Sequence, residues 1–126
     1  MFSGIVLRAI LAASIMEDGR NKSISVMKAV FAHRGDFEFI DHCSGPNMAA
    51  TPNAIIERIF EFTGCDVSES FQNKNLQNLI KWHAKYARQN GIHVSPTFMI
   101  NGLVAPKMSS ADDEKKWVSE IESSIL

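Results

Sequence analysis

Only one stretch of this chain alternates with the two-residue period of a β-strand, and it lies inside a sequence otherwise patterned for helices. Residues 93–100 read His-Val-Ser-Pro-Thr-Phe-Met-Ile. Val94, Phe98 and Ile100 point one way, and Thr97 and Met99 the other. Asn101-Gly102 follows, the strongest short hairpin signal, because both central residues of a type I′ turn need positive φ. Leu103-Val104-Ala105 returns as a second strand, which Pro106 ends. Two strands alone are marginal in water. A ribbon apolar on both faces wants further strands beside it and helices on both sides, and this chain does not obviously contain those strands.

The rest reads as helices with clear punctuation. Ser3 can cap a first helix over residues 3–16, with Ile5, Val6, Ala9, Ile10 and Ala13 at helical spacing and Leu7 and Leu11 widening the face. Asp18-Gly19 stops it. The apolar opening lacks a basic lead-in and carries Arg8 in its middle, so it reads as a core helix rather than a signal peptide. A second helix is predicted over 22–33, from Ile24, Met27, Ala29, Val30 and Phe31, then a break at Gly35-Asp36 and a short helix or turn through Phe37, Phe39 and Ile40. Cys43-Ser44-Gly45-Pro46-Asn47 is loop chemistry. Thr51-Pro52 starts a third helix, with a capping oxygen followed by a proline where a missing N–H does no harm. Ile55, Ile56, Ile59 and Phe60 form its apolar face, and Gly64 stops it. A short turn to Asn73, capped by Asp66 or Ser68, precedes a long helix over 74–89, which Asn90-Gly91 ends. Leu76, Leu79, Ile80, His83 and Ala87 line one side of that helix, with Trp82 and Tyr86 beside them. A last helix from Ala111, capped by Ser109 or Ser110, carries Asp112, Asp113 and Glu114 in its first turn. Its apolar face is Trp117, Val118, Ile121 and Ile125.

These elements predict an α+β or α/β protein of one domain over 1–126, with a helical part at 3–90 and a hairpin plus helix at 91–126. The formal net charge of -1 and the lack of a basic stripe argue against nucleic acid or an anionic membrane as partner. No apolar run approaches the ~18 residues a bilayer span needs. Cys43 and Cys65 are too far apart for a Cys-x-x-Cys pair or a zinc knuckle, so no metal site is read. Two free thiols or one structural disulfide both fit the spacing.

The run from Asn90 to Gly102, with Ser95-Pro96-Thr97-Phe98-Met99-Ile100-Asn101-Gly102 at its centre, resembles a signature of DsbA-like proteins of the thioredoxin superfamily. In that family a helix ends in a glycine turn, and a strand opens on a cis-proline and turns at Asn-Gly. The resemblance covers nearly the whole chain. It makes the helices up to Gln89 similar to the helical domain inserted in that fold, the next segment its β-hairpin with cis-Pro, and the stretch from Lys107 its closing helix. This is the C-terminal part of such a fold; the strand–Cys-x-x-Cys–helix–strand unit with which the family begins is expected upstream.

The resemblance implies a protein thiol–disulfide oxidoreductase or isomerase lineage. Ser95, Pro96 and Thr97 would be the substrate-binding residues, because a cis bond at Pro96 exposes the Ser95 backbone for pairing with an extended peptide or thiol substrate. No residue is assigned a catalytic role and no cofactor is expected, and the chain alone should be redox-inactive. Cys43 beside His42, and His93 near the start of the strand, are accessory candidates. Cys65 follows a helix end, where the dipole disfavours a thiolate. Two other readings compete. One is a glutathione-binding relative similar to kappa-class transferases and hydroxychromene-carboxylate isomerases, which calorimetry with glutathione would reveal. The other is a non-catalytic peptide-binding or dimerisation module, in which an incomplete sheet is covered by a second copy as a homodimer. With no export signal in this chain it reads as cytoplasmic as it stands, and the family's oxidising habitat leaves the periplasm open for a full-length parent.

Overall fold

The computed structural model describes residues 3–37 and 51–125. The chain divides into two compact units between Ile80 and Lys81. Cys43, Phe39, Ile40 and the loop around them lie outside the described residues.

The first unit is helical: α1 (Ser3–Ser14), α2 (Gly19–Ala32), a 3-10 turn (Arg34–Asp36), α3 (Pro52–Thr63), α4 (Ser68–Phe71) and the start of α5 (Leu76–Gln89). α1 packs chiefly on α2, and both reach α3. Ala9, Ala12 and Ala13 are wholly buried, and such small contact residues let helix axes come close. The opening helix therefore belongs to the core. Arg8, the charge within it, is not left alone. Its Nε donates to the Phe71 carbonyl at 3.0 Å and its Nη2 to that of Asn73 at 3.2 Å, so it satisfies acceptors at the end of α4. The guanidinium also lies 5.1 Å from the Phe71 ring centroid.

α1 ends at Ser14, two residues short of the predicted end, so Asp18-Gly19 does not stop it but opens α2. Asp18 adopts left-handed φ 54, and its carbonyl accepts from the Lys22 N–H at 3.1 Å. α2 therefore begins at Gly19, three residues before the start predicted from its apolar spacing. The third helix follows its sequence signals closely. Thr51 Oγ1 accepts from the Ala54 N–H at 3.2 Å, Pro52 is the first helical residue, and Gly64 closes the helix at φ 68 with its N–H on the Phe60 carbonyl at 2.7 Å.

Ile55, Ile56 and Ile59 are buried, but Phe60, predicted on the same face, is 52% exposed. At 100° per residue Phe60 lies about 90° round the helix from the middle of the isoleucine stripe. Phe37 is buried; its ring meets that of Phe62 edge-on at 6.1 Å, and His33 stacks on the same Phe62 at 3.8 Å. Val26, Ile55, Ile59, Val67 and Leu76 are fully enclosed. Each contributes about 1.5–3 kcal/mol of hydrophobic stabilisation.

The second unit begins within α5. Its Trp82 and Tyr86 rings are exposed and stacked with centroids 5.4 Å apart. His83, predicted on the packed side, is exposed, its ring perpendicular to that of Trp82 at 5.1 Å. α5 ends in a Schellman motif: Ile92 N–H donates to the Ala87 carbonyl at 2.9 Å and Gly91 N–H to that of Arg88 at 3.4 Å, with Gly91 at φ 72. The hairpin pairs β1 (Met99–Ile100) with β2 (Leu103–Val104), antiparallel, Met99 opposite Val104 and Ile100 opposite Leu103. Asn101 (φ 53) and Gly102 (φ 81) both take positive φ, as the turn signal requires. The strand is shorter than the predicted 93–100, because ladder bonds reach back only to Phe98, whose carbonyl accepts from Ala105 N–H at 2.8 Å.

α6 (Glu114–Ile125) starts three residues later than predicted. Asp113 Oδ1 accepts from Lys116 N–H at 2.9 Å, so the cap is Asp113 rather than a serine. Ser109 and Asp112 instead hold the preceding turn, with Ser109 N–H on Asp112 Oδ2 at 2.8 Å. The Lys116–Asp112 pair, at 2.8 Å, lowers the Asp112 carboxyl below its usual range. Val118, Ile121 and Ile125, predicted as an apolar face, are exposed. Among the described residues, none of the fully buried hydrophobic ones belongs to this unit.

Candidate functional site

The Schellman turn delivers the chain to residues 93–97, between α5 and β1. The Thr97 hydroxyl donates to the Val94 carbonyl, closing a tight loop around Ser95 and Pro96. The Ser95–Pro96 peptide bond is cis. His93, Val94, Ser95 and Pro96 are exposed, and Thr97 is half-buried. Among the described residues, the backbone N–H and C=O groups of Ser95 and Thr97 make no backbone hydrogen bond. Unpaired backbone groups of this kind, leading into a strand, are a template for an incoming extended segment. Directly downstream Phe98 packs edge-on against Trp117 at 4.8 Å, and Trp117 Nε1–H donates to the Ser109 carbonyl at 3.0 Å. The hairpin is thereby tied to α6, which fixes where the 95–97 segment is presented.

The predicted substrate-binding residues Ser95, Pro96 and Thr97 thus come together on one exposed segment, with His93 two residues before Ser95. The accessory candidate Cys43 lies outside the described residues. Cys65 is a buried free thiol in the first unit, its Sγ 4.0 Å from Met16 Sδ. Burial pushes its pKa up, Lys22 offsets this only in part, and Asp66 adds to the rise. A neutral, enclosed thiol is a poor nucleophile. Alkylation of Cys65 by a water-soluble maleimide at neutral pH is expected to be at least about tenfold slower in the native protein than in urea. Equal rates would show the thiol to be open. Because the folded pKa is raised, the thiol's contribution to stability is complete below 9.0 and falls as pH rises through the folded value.

Sequence reading missed the role of Thr97 as the lock of the 94–97 loop. The short spacing from Val94 to a hydroxyl residue is the signal that could have found it. Among the described residues, no group of three or more His, Cys, Asp or Glu could hold a metal ion, and no helix is long and apolar enough to cross a membrane.

A mostly helical chain with a small antiparallel hairpin, entered through an exposed proline segment and closed by a helix, defines an α+β protein. Comparison with solved structures refines this. The chain matches a crystal structure from Pseudomonas syringae, described as a "putative protein-disulfide isomerase", with a TM-score of 0.87 and 58% identity over 96% of this chain and 68% of that one. The protein belongs to the same DsbA-like family. No family model and no curated protein matches it.

Proposed function

We propose that this chain forms the peptide-docking part of a protein thiol–disulfide oxidoreductase or isomerase, with Ser95, Pro96 and Thr97 along the substrate edge and no redox turnover of its own. The observation that carries the reading is the exposed 95–97 backbone, unpaired among the described residues, in a chain 58% identical to a protein of that description. An extended peptide pairing there would gain main-chain hydrogen bonds, and the Ser95 hydroxyl would add a polar contact. Redox inertness of the chain follows from its cysteines. The 126 residues hold no Cys-x-x-Cys, and Cys65 is enclosed with a raised pKa. Trp82, Tyr86 and Phe60 stay substantially exposed, Trp82 and Tyr86 as one stacked strip; such apolar surface favours self-association, and we read the chain as a homodimer.

Two measurements test the reading. Amide shifts of the labelled chain, titrated with an extended peptide whose cysteines are replaced by serine, should concentrate on residues 94–98. Thr97→Val should weaken that binding by about 1 kcal/mol by removing the loop lock. Shifts spread elsewhere, or none, would defeat the docking proposal. In an insulin-reduction assay the chain should give no turnover above the reductant alone. Turnover lost in Cys43→Ser would make that thiol reactive, and turnover surviving both Cys43→Ser and Cys65→Ser would exclude any cysteine mechanism.

A further inference from the structure

The second half of α5 carries a substantially exposed aromatic strip. Trp82 and Tyr86 stack on one another and remain exposed. Lys81, Lys85 and Arg88 run beside them at i, i+4 and i+7, so a row of cations borders the strip. α3 carries the opposite arrangement. A groove of about 550 Å3 is lined by Ile56 and the exposed Phe60 and bordered by Glu57, Glu61 and Asp66. Hydrogen bonds from the side chain and then the backbone of Ser68 hold the Asp66 carboxyl below its usual range. Among the described residues, no ion pair engages the side chains of Glu57, Glu61, Lys81, Lys85 or Arg88.

We propose that the chain self-associates by seating the Trp82–Tyr86 strip of one copy in the Phe60 groove of another, with Lys81 and Lys85 facing Glu57 and Glu61. The proposal rests on the self-association reading above and names its surfaces. Both charged pairs have the same i, i+4 spacing, so two antiparallel helices bring both ion pairs into register together while the aromatic rings meet. The helices suit this role better than the hairpin. Its two-residue strands offer a short edge, followed after Ala105 by Pro106 and Lys107, and such features discourage strand pairing. A single such contact between copies is heterologous, so it gives a closed dimer when formed reciprocally and an open series when not.

Light scattering on the full chain at about 50 µM, a concentration suited to weak complexes, provides the test. The wild type should weigh more than a monomer and dissociate as salt rises. Glu57→Lys with Glu61→Lys, and separately Lys81→Glu with Lys85→Glu, should each weaken association by about tenfold or more. An equimolar mixture of the two variants should restore it, because each supplies the charge the other has lost. Trp82→Ala, which changes no charge, should weaken it as well. All these sites are on the surface, and circular dichroism should show unaltered folds. A monomeric wild type would overturn both this proposal and the self-association reading. Association that the charge reversals leave intact, or a mixture that does not recover, would overturn the assignment of surfaces and leave self-association standing.

Discussion

Gly19→Ala is expected to destabilise the first unit by about 3 kcal/mol or more, the largest effect of an added methyl among the described glycines. A Cβ on Gly19 would sit 1.9 Å from the Ser14 carbonyl oxygen and 2.5 Å from its carbonyl carbon. Both atoms are backbone, so no side chain can swing aside. Relief requires α2 to lift away from the end of α1, and that contact is the most extensive helix pairing in the unit. Asp18 offers no escape, because its left-handed conformation already sets the path between the helices. Urea unfolding followed by circular dichroism measures the loss directly. A midpoint shift equivalent to less than about 1 kcal/mol would mean that the two helices are not held as closely as described. The same substitution at Gly4, where a Cβ meets nothing within 4 Å, is the control and should change little.

Ile59→Ala should cost about 3–4 kcal/mol, whereas Phe60→Ala, its neighbour, should cost less than about 1 kcal/mol. Ile59 has no exposed surface and sits among the residues that join α3 to α1 and α2. Removing three carbons there leaves a void that a helix anchored at both ends by Thr51 and Gly64 cannot close. Phe60 is larger but half in water, so little buried area is lost. Parallel denaturation of the two variants reads the difference. Equal losses would contradict the orientation of α3. Phe60→Ala would still lower self-association, which separates its surface role from folding.

Local chemistry was legible wherever one residue type decides the outcome. The Thr51-Pro52 start and Gly64 stop of α3, the Asn90-Gly91 end of α5 and the Asn101-Gly102 turn all stand where the sequence places them. Each depends on one side-chain oxygen, one missing N–H or one positive φ, and needs no partner from elsewhere in the chain. Errors arose where an apolar residue was assumed to be covered. Phe60, His83 and the face of α6 fit a helical stripe, yet periodicity gives only the side on which they lie, not whether anything packs against it. Strand length failed for a related reason. Alternation extends back to Val94, but a strand exists only where a ladder exists, and the bonds end at Phe98.

The candidate site shows the same division. Ser95, Pro96 and Thr97 were singled out as candidates from their motif, and the similarity to the P. syringae protein supports the family that the motif suggested. Their exposure, the Thr97 lock onto Val94 and the Phe98–Trp117 brace required the folded chain.

The amino-acid sequence by itself determined the order of the elements, the caps of α3, the end of α5 and the hairpin turn, and the DsbA-like character of the proline segment. Only the tertiary structure decided that Gly19 is pressed against the backbone of α1, that Arg8 serves the end of α4, and that Cys65 is enclosed. Those outcomes depend on residues distant in the chain, and solvent exclusion is a property of the packed whole that no local pattern encodes.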